Sequence, residues 1–297
     1  MTMQFSQPVT EIIRQRYSCR TYQKAPITED RRSALEELIN HLPPGPFGAP
    51  SRFTLAAATQ EDRHELHGLG TYGFIRGAPA FIIGATAGAP LGLEDFGYRM
   101  EAIILRATEL GLGTCWLGGT FIRSNFARKI AASNDEILPA VTSVGGIASD
   151  PRGFDRALRL RIGAQDRLAW ETLFFDQKFG VALSREDAGA YSLPLEMVRL
   201  APSASNKQPW RVIKSGSRWH FYVQRTKGYL ESWVIRKMLG VADLQHVDLG
   251  IAMCHFELAA GEAGSKGKWE VSEPAIEKPD GLTEYAASWV TGPGLAP

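Results

Sequence analysis

Three stretches of this 297-residue chain combine residue types suited to a charged or planar ligand. The first, Arg16-Tyr17-Ser18-Cys19-Arg20, sets two permanently charged guanidiniums around a hydroxyl. The second, residues 201–210 (APSASNKQPW), joins turn formers, small hydroxyls, two amides and an aromatic ring, as a ligand-closing loop requires. The third, residues 111–119 (GLGTCWLGG), is a glycine-rich turn. Read singly, Arg14, Arg16 and Arg20 describe a solvated helix end, and APSASNKQPW a structural turn. Trp116 and Trp210 are core residues before they are stacking partners. Cys115 is packing, because no histidine is placed to activate it. No catalytic triad or carboxylate pair accompanies the three stretches.

Two other patterns are decoys. Residues 68–73 (GLGTYG) spell a dinucleotide-binding signature, but polar EDRHELH precedes them where a strand is needed, so they read as loop. His64 and His67 lie three apart without a third ligand, which makes them surface histidines. Cys19, Cys115 and Cys254 are too few and too scattered for a disulfide framework and fit a reducing compartment. A net charge of +1 offers no electrostatic case for nucleic acid or an anionic membrane. The N-terminal residues turn polar at once and do not read as a secretory signal, and APAFIIGATAGAP is too short to span a bilayer. The expected location is the cytoplasm.

The elements that must position these stretches are legible from periodicity. Val9, Ile12 and Ile13 predict a helix over residues 7–16 with Ser6 as its cap. Thr28 caps a second helix, whose apolar face is Leu35, Leu38, Ile39 and Leu42, and LPPGPFGAP ends it. PAFIIGA is a buried strand. Met100, Ile103, Ile104, Ala107 and Leu110 line a helix stopped by Gly111, and AVTSVGGIA is another strand. A second part starts near Arg167. There, residues 195–200 are helical, WRVIK and RWHFYVQ form a hairpin around Ser-Gly-Ser, and DLGIAMCHFELAAGEAG is a helix with Ile251, Cys254 and Leu258 on one side. The tail VTGPGLAP reads as loosely held. The alternation makes the chain α/β or α+β, and 44% hydrophobic residues supply a core.

A long-period repeat overlies these elements. Ala49-Pro50-Ser51 recurs 152 residues later as Ala201-Pro202-Ser203. Asp95, Gly97, Met100, Gly111 and Trp116 recur 153 residues later as Asp248, Gly250, Met253, Gly264 and Trp269. The copies have decayed in complementary ways. APSRFTLAA lacks the amides and Pro-Trp of its counterpart, and AGSKGKW lacks the Gly-Leu-Gly-Thr pattern.

On these residues the chain resembles the nitroreductase family of flavoproteins. Arg16 to Arg20 match the family's Arg-x-Ser-x-Arg/Lys, and residues 201–210 match every patterned position of Ala-Pro-Ser-x-x-Asn-x-Gln-Pro-Trp. In ordinary members one short chain carries all the motifs and two chains build the flavin sites across their interface. Here the loop and the Arg motif lie in different halves, which resembles the double-length branch in which one chain imitates the dimer. The resemblance implies a nitroreductase-like α+β fold with an internal tandem duplication, halves at 1–166 and 167–297 intertwined, and a monomeric pseudo-dimer with one site.

The resemblance also implies FMN as cofactor and NADH or NADPH as hydride donor. The acceptor would be a small electron-poor molecule such as a nitroaromatic or quinone. Arg16, Tyr17 and Ser18 would bind at the phosphate end with Arg167, although Gln165 stands where a second cation often occurs. Arg20 would lie near the pyrimidine edge of the ring. Pro202, Ser203, Ala204, Ser205 and Asn206 would border the flavin from the second half, Trp116 would lie beside it, and the N–H groups of Gly118 and Gly119 would face flavin N5. The flavin carries the redox chemistry, so no side chain need act as acid or base. Relatives that fragment flavin or dehalogenate reductively, and a flavin-binding role without turnover, are the competing readings.

Overall fold

The structure is a computed structural model that describes residues 3–59, 66–149, 166–228 and 242–292. Its first part runs α1 (Val9–Gln15), α2 (Glu29–Asn40), β1 (Ser51–Ala57), β2 (Ala80–Ala87), α3 (Gly92–Glu109), β3 (Gly113–Leu117), α4 (Arg123–Lys129), β4 (Glu136–Ile137) and β5 (Val141–Gly145). The second runs α5 (Trp170–Leu173), β6 (Phe174–Asp176), α6 (Arg185–Ala188), α7 (Ser192–Leu200), β7 (Trp210–Ser215), β8 (Arg218–Gln224), α8 (Leu244–Glu262), β9 (Gly267–Glu270) and β10 (Thr283–Thr291).

Two sheets result, ordered β1-β2-β5-β3, with β4 on β2, and β6-β7-β8-β10-β9. Setting aside the short β4 and β6, each sheet has its first, second, fourth and third strands as neighbours, all antiparallel. In each, one long helix links the second strand to the third: α3 in one, α8 in the other. These helices cross at glycines. A Cβ on Gly97 would overlap the carbonyl oxygen of Val247, and one on Gly250 would overlap that of Glu94. Val247 lies 153 residues after Glu94, and Gly250 lies 153 after Gly97, so the contact is reciprocal.

Most predicted elements form, with instructive differences at their ends. Pro8, rather than Ser6, precedes α1; the Ser6 hydroxyl instead donates to Glu109 Oε1 at 2.8 Å. Thr28 takes the cap position of α2, but its side chain meets Asp30 and caps no backbone N–H. Helix α8 is buried nearly all round rather than along the stripe of Ile251, Cys254 and Leu258, because α3, α7, α1 and the second sheet enclose it. The tail is not wholly loose, since Val290 and Thr291 complete β10 against β8 and β9. Most of the glycine-rich turn is strand: Gly111 turns at φ 72°, and residues 113–117 are β3.

The loop reading of residues 68–73 holds, and His67 is exposed, while His64 lies outside the described residues. Among the described residues no helix is long and apolar enough to cross a membrane. The three cysteines are buried and unbridged.

Candidate functional site

Helix α1 ends at Arg16, whose φ of −62° and ψ of 129° turn the chain into an extended segment. That segment runs beside β3: Ser18 bridges Thr114 in parallel, and Cys19 N donates to Thr114 O at 2.8 Å. Gly113 allows the approach, because a Cβ there would meet the Cys19 side chain at 2.8 Å. The three arginines of this region then separate. Arg14 is exposed, as a solvated helix end requires, whereas Arg16 and Arg20 turn inward. Arg20 is 8% exposed and donates weakly to Ser18 O at 3.4 Å. Tyr17 stays exposed.

Arg16 is the unusual member. Its side chain is 5% exposed, and its Nε lies 3.8 Å from Glu101 Oε1, too far for a hydrogen bond. Among the described residues neither Nε nor Nη1, both buried, has a hydrogen-bond partner. Glu101 itself is fully committed elsewhere. Its Oε1 meets His255 Nε2 at 3.0 Å, and its Oε2 accepts from Trp116 Nε1 at 2.7 Å. Burial would raise the Glu101 carboxyl, but His255, Arg16 and Trp116 outweigh it and hold it below the usual range. The other His255 nitrogen, Nδ1, donates to Met197 O at 2.9 Å in α7. This one carboxylate thus ties α3 to α8 and leaves Arg16 with charge compensation but, among the described residues, with Nε and Nη1 unfilled.

From the second half comes Arg167, whose guanidinium donates to Asp166 O at 3.0 Å, Leu200 O at 3.2 Å and Asn206 Oδ1 at 3.3 Å. Burial, then the charges of Arg16 and Arg199, lower its pKa to about 10. Arg16 and Arg167 therefore feel each other, and Arg167 bonds the loop directly. Residues far apart in the sequence are thus brought within electrostatic reach of each other. Gln165 lies outside the described residues.

The loop itself is held by its own polar atoms. Ser203 Oγ accepts from Gln208 N at 2.8 Å, and Gln208 Oε1 accepts from Leu168 N at 2.9 Å. Asn206 Nδ2 donates to Asp166 O at 2.9 Å, while Ala204 N donates to the buried Asp248 at 2.9 Å. Ser205, Asn206 and Gln208 all take positive φ, 51°, 55° and 49°. Strain of this kind costs on the order of 1–3 kcal/mol per residue and persists only where surrounding bonds impose it. Pro202 precedes the bend, and Trp210, fully buried, anchors its far end in the core.

Gly118 joins this region to the second half, since a Cβ there would overlap Leu244 at the start of α8. Gly119 beside it faces open space. Trp116 is half-buried, and its indole N–H is spent on Glu101.

Glu101, His255, Asp248 and Leu244 were not singled out from the sequence. Glu101 and His255 are charged or polar residues inside otherwise apolar helical runs, which was the available signal. Asp248 was noticed only as a repeat position. Among the described residues no group of three His, Cys, Asp or Glu side chains gathers as metal ligands.

Comparison with known proteins gives the family and the fold. The family model described as "Putative TM nitroreductase" matches residues 8–260. A Thermotoga maritima protein described as "a putative nitroreductase" is similar in fold, with 17% identity, a TM-score of 0.60, and coverage of 99% of this chain and 98% of that one. A nitroreductase family protein of Clostridium difficile is 20% identical over 58% of this chain and 100% of its own, with a TM-score of 0.41. A Bacteroides fragilis nitroreductase with bound FMN is 21% identical over 50% of this chain and 92% of its own, with a TM-score of 0.38. No curated protein sequence matches.

Proposed function

Because this chain belongs to the family of putative TM nitroreductases, we propose that it is an FMN-dependent oxidoreductase with a single flavin site between its two halves. The observation that carries this reading is the Arg16 guanidinium, buried with two unbonded nitrogens beside Arg167, which is bonded to Asn206. A buried cation with unfilled donors costs several kcal/mol unless an anion meets it. A phosphate monoester supplies the oxygens that paired guanidiniums bind best.

On this reading Arg16, Ser18 and Arg167 hold the phosphate end. Arg20 lies at the pyrimidine edge of the ring, where a fixed cation stabilises negative charge. Residues 202–206 border the ring from the second half. The N–H groups of Gly118 and Gly119 would face flavin N5, a reading supported by the space in front of Gly119 and by Gly118 lying against the Leu244 side chain. Bound FMN would pass hydride from NADH or NADPH to an electron-poor small molecule such as a nitroaromatic or quinone. The chain contributes position and charge. Glu101, backed by His255 and Trp116, supports Arg16 from its Nε side.

We read the two halves, 1–166 and 167–297, as a fused duplication in which a monomeric chain stands in for a homodimer. The shared strand order and the reciprocal glycines at the α3–α8 crossing support that reading. The test is to purify the protein, count flavin against polypeptide by absorbance, and follow NADH and NADPH oxidation with a nitroaromatic or quinone. One flavin per chain and nucleotide oxidation are expected. Two flavins per chain would overturn the single site, and flavin-loaded protein that oxidises neither nucleotide would overturn the catalytic reading.

A further inference from the structure

A second cationic feature lies on the outer side of the same loop. A cleft of about 250 Å³ opens between the start of β7, the end of β8 and the turn before β10, lined by Lys207, Arg211, Arg225, Thr226, Lys227 and Asp280 among others. Its charges are unequally compensated. Arg225 is spent, with Nη1 2.6 Å from Asp243 Oδ2 and its Nε and Nη2 on Glu284 at 2.5 and 3.0 Å. Asp280 is turned into its own bend, where Oδ1 accepts from Leu282 N at 3.0 Å and Thr283 Oγ1 at 2.7 Å.

Arg211 differs. Its Nη1 donates only to the carbonyls of Gln208, at 3.0 Å, and Trp210, at 2.6 Å. Its Nε and Nη2 make no hydrogen bond among the described residues, and burial, partly offset by Asp280, draws its pKa down to about 10. Lys207 and Lys227 are exposed at the rim and form no ion pair among the described residues. Thr226 Oγ1 accepts from Gln245 Nε2 at 3.0 Å, so its own hydroxyl proton remains to be donated.

Three cations, opposed by one carboxylate and joined by a hydroxyl donor, match a phosphate monoester dianion in charge and donor number. A neutral or monoanionic ligand would leave the charge uncompensated. Lys207 directly follows Asn206, and Arg211 grips the carbonyls of the loop's end. An anion bound here is therefore attached to the loop that borders the proposed flavin site. We propose that this cleft binds a phosphate monoester and, resting on the functional reading above, that the monoester is the 2′-phosphate of NADPH, which makes NADPH the preferred donor over NADH.

The experiment has a binding arm and a kinetic arm, both on the FMN-loaded protein. Calorimetry compares adenosine 2′-monophosphate, adenosine 5′-monophosphate and inorganic phosphate, on the native protein and on Lys207→Ala/Lys227→Ala. Both lysines are exposed, so the double variant should fold; Arg211→Gln is the second variant. The 2′-phosphate should bind about tenfold or more tightly than the other two, and the advantage should vanish in both variants. In steady-state kinetics the ratio KM(NADPH)/KM(NADH) should rise by about tenfold or more in the double variant.

Equal binding of inorganic phosphate and the 2′-nucleotide, with an unmoved KM ratio, would overturn the NADPH assignment in favour of free phosphate. Loss of no phosphate binding in either variant would overturn the cleft altogether. If the protein oxidises neither nucleotide, the functional reading fails and the NADPH assignment fails with it, while the binding arm still decides whether the cleft takes a phosphate monoester.

Discussion

The two sheets share a strand order but not a use for it. After Ala49-Pro50 the first half enters β1 at once, with Ser51 paired to Thr86 and every residue through Ala57 in register with β2. After Ala201-Pro202 the second half delays β7 until Trp210 and spends the interval on a loop with three positive-φ residues. The converse holds at the other end of the site. Beside β3 runs the extended Arg-rich segment, while β9 pairs with β10 alone among the described residues. The comparison teaches that the same strand order forms with or without either feature. Sheet pairing and the α3–α8 crossing depend on periodicity and small residues, not on the Arg-rich segment or the 201–210 loop.

Breaking the shared scaffold should have the largest effect. Gly250→Val places side-chain atoms against the Glu94 backbone, and Gly97→Val does the same against Val247. Each should cost about 3 kcal/mol or more and lower the urea midpoint sharply, because neither partner atom belongs to a flexible side chain. Equal losses from the two variants would sharpen the symmetry, and a loss from one alone would break it.

Removing what only the first half retains comes next. Arg16→Ala should weaken FMN binding by about 1.5–3 kcal/mol, roughly 10- to 150-fold in Kd by fluorescence titration. Arg14→Ala, changed in the same segment but exposed, should move it less than about twofold.

A smaller effect is expected at the joint between the first turns of α3 and α8, where His246 Nδ1 lies 2.5 Å from Glu94 Oε1. Burial opposes the imidazolium, but Glu284, Glu94 and Asp243 outweigh it and raise its pKa from 6.5 to about 10. A raised folded-state pKa contributes stability in full below 6.5 and loses it as pH climbs through about 10. Urea denaturation should therefore show about 1–2 kcal/mol lost between pH 7 and 10, a loss that His246→Gln abolishes. Glu284, held down to about 2 first by His246, acts oppositely: its contribution is complete above 4.5 and fades as pH falls toward 2.

The smallest change should come from writing the missing amides back. Thr54→Asn with Ala56→Gln restores residues at the positions 152 before Asn206 and Gln208. Both lie within β1, and Ala56 is 1% exposed, so no loop exists to present them. Flavin per chain should stay at one, and a second equivalent on titration would undo the account of decay.

Much of this was legible in the sequence for physical reasons. The amphipathic faces of α2 and α3, the β7–β8 hairpin and the Gly111 stop each follow from local pattern. The Arg motif and the loop stood out by composition, but their expected chemistry came from the family resemblance of the combination. What stayed hidden was non-local. No pattern in CHFELAA says that His255 reaches across to Glu101, because that bond depends on the α3–α8 crossing rather than on either helix. The all-round burial of α8 escaped because a one-faced stripe assumes a single neighbour. Ser6 and Thr28 fit capping rules, yet Glu109 and Asp30 compete for their hydroxyls.

The glycine crossing has one more consequence. Both backbones that meet there belong to the same polypeptide, so their encounter is first order and carries no dependence on protein concentration. Dilution therefore does not weaken the contact between them. The packing of Gly97 and Gly250 is thus independent of how much protein is present.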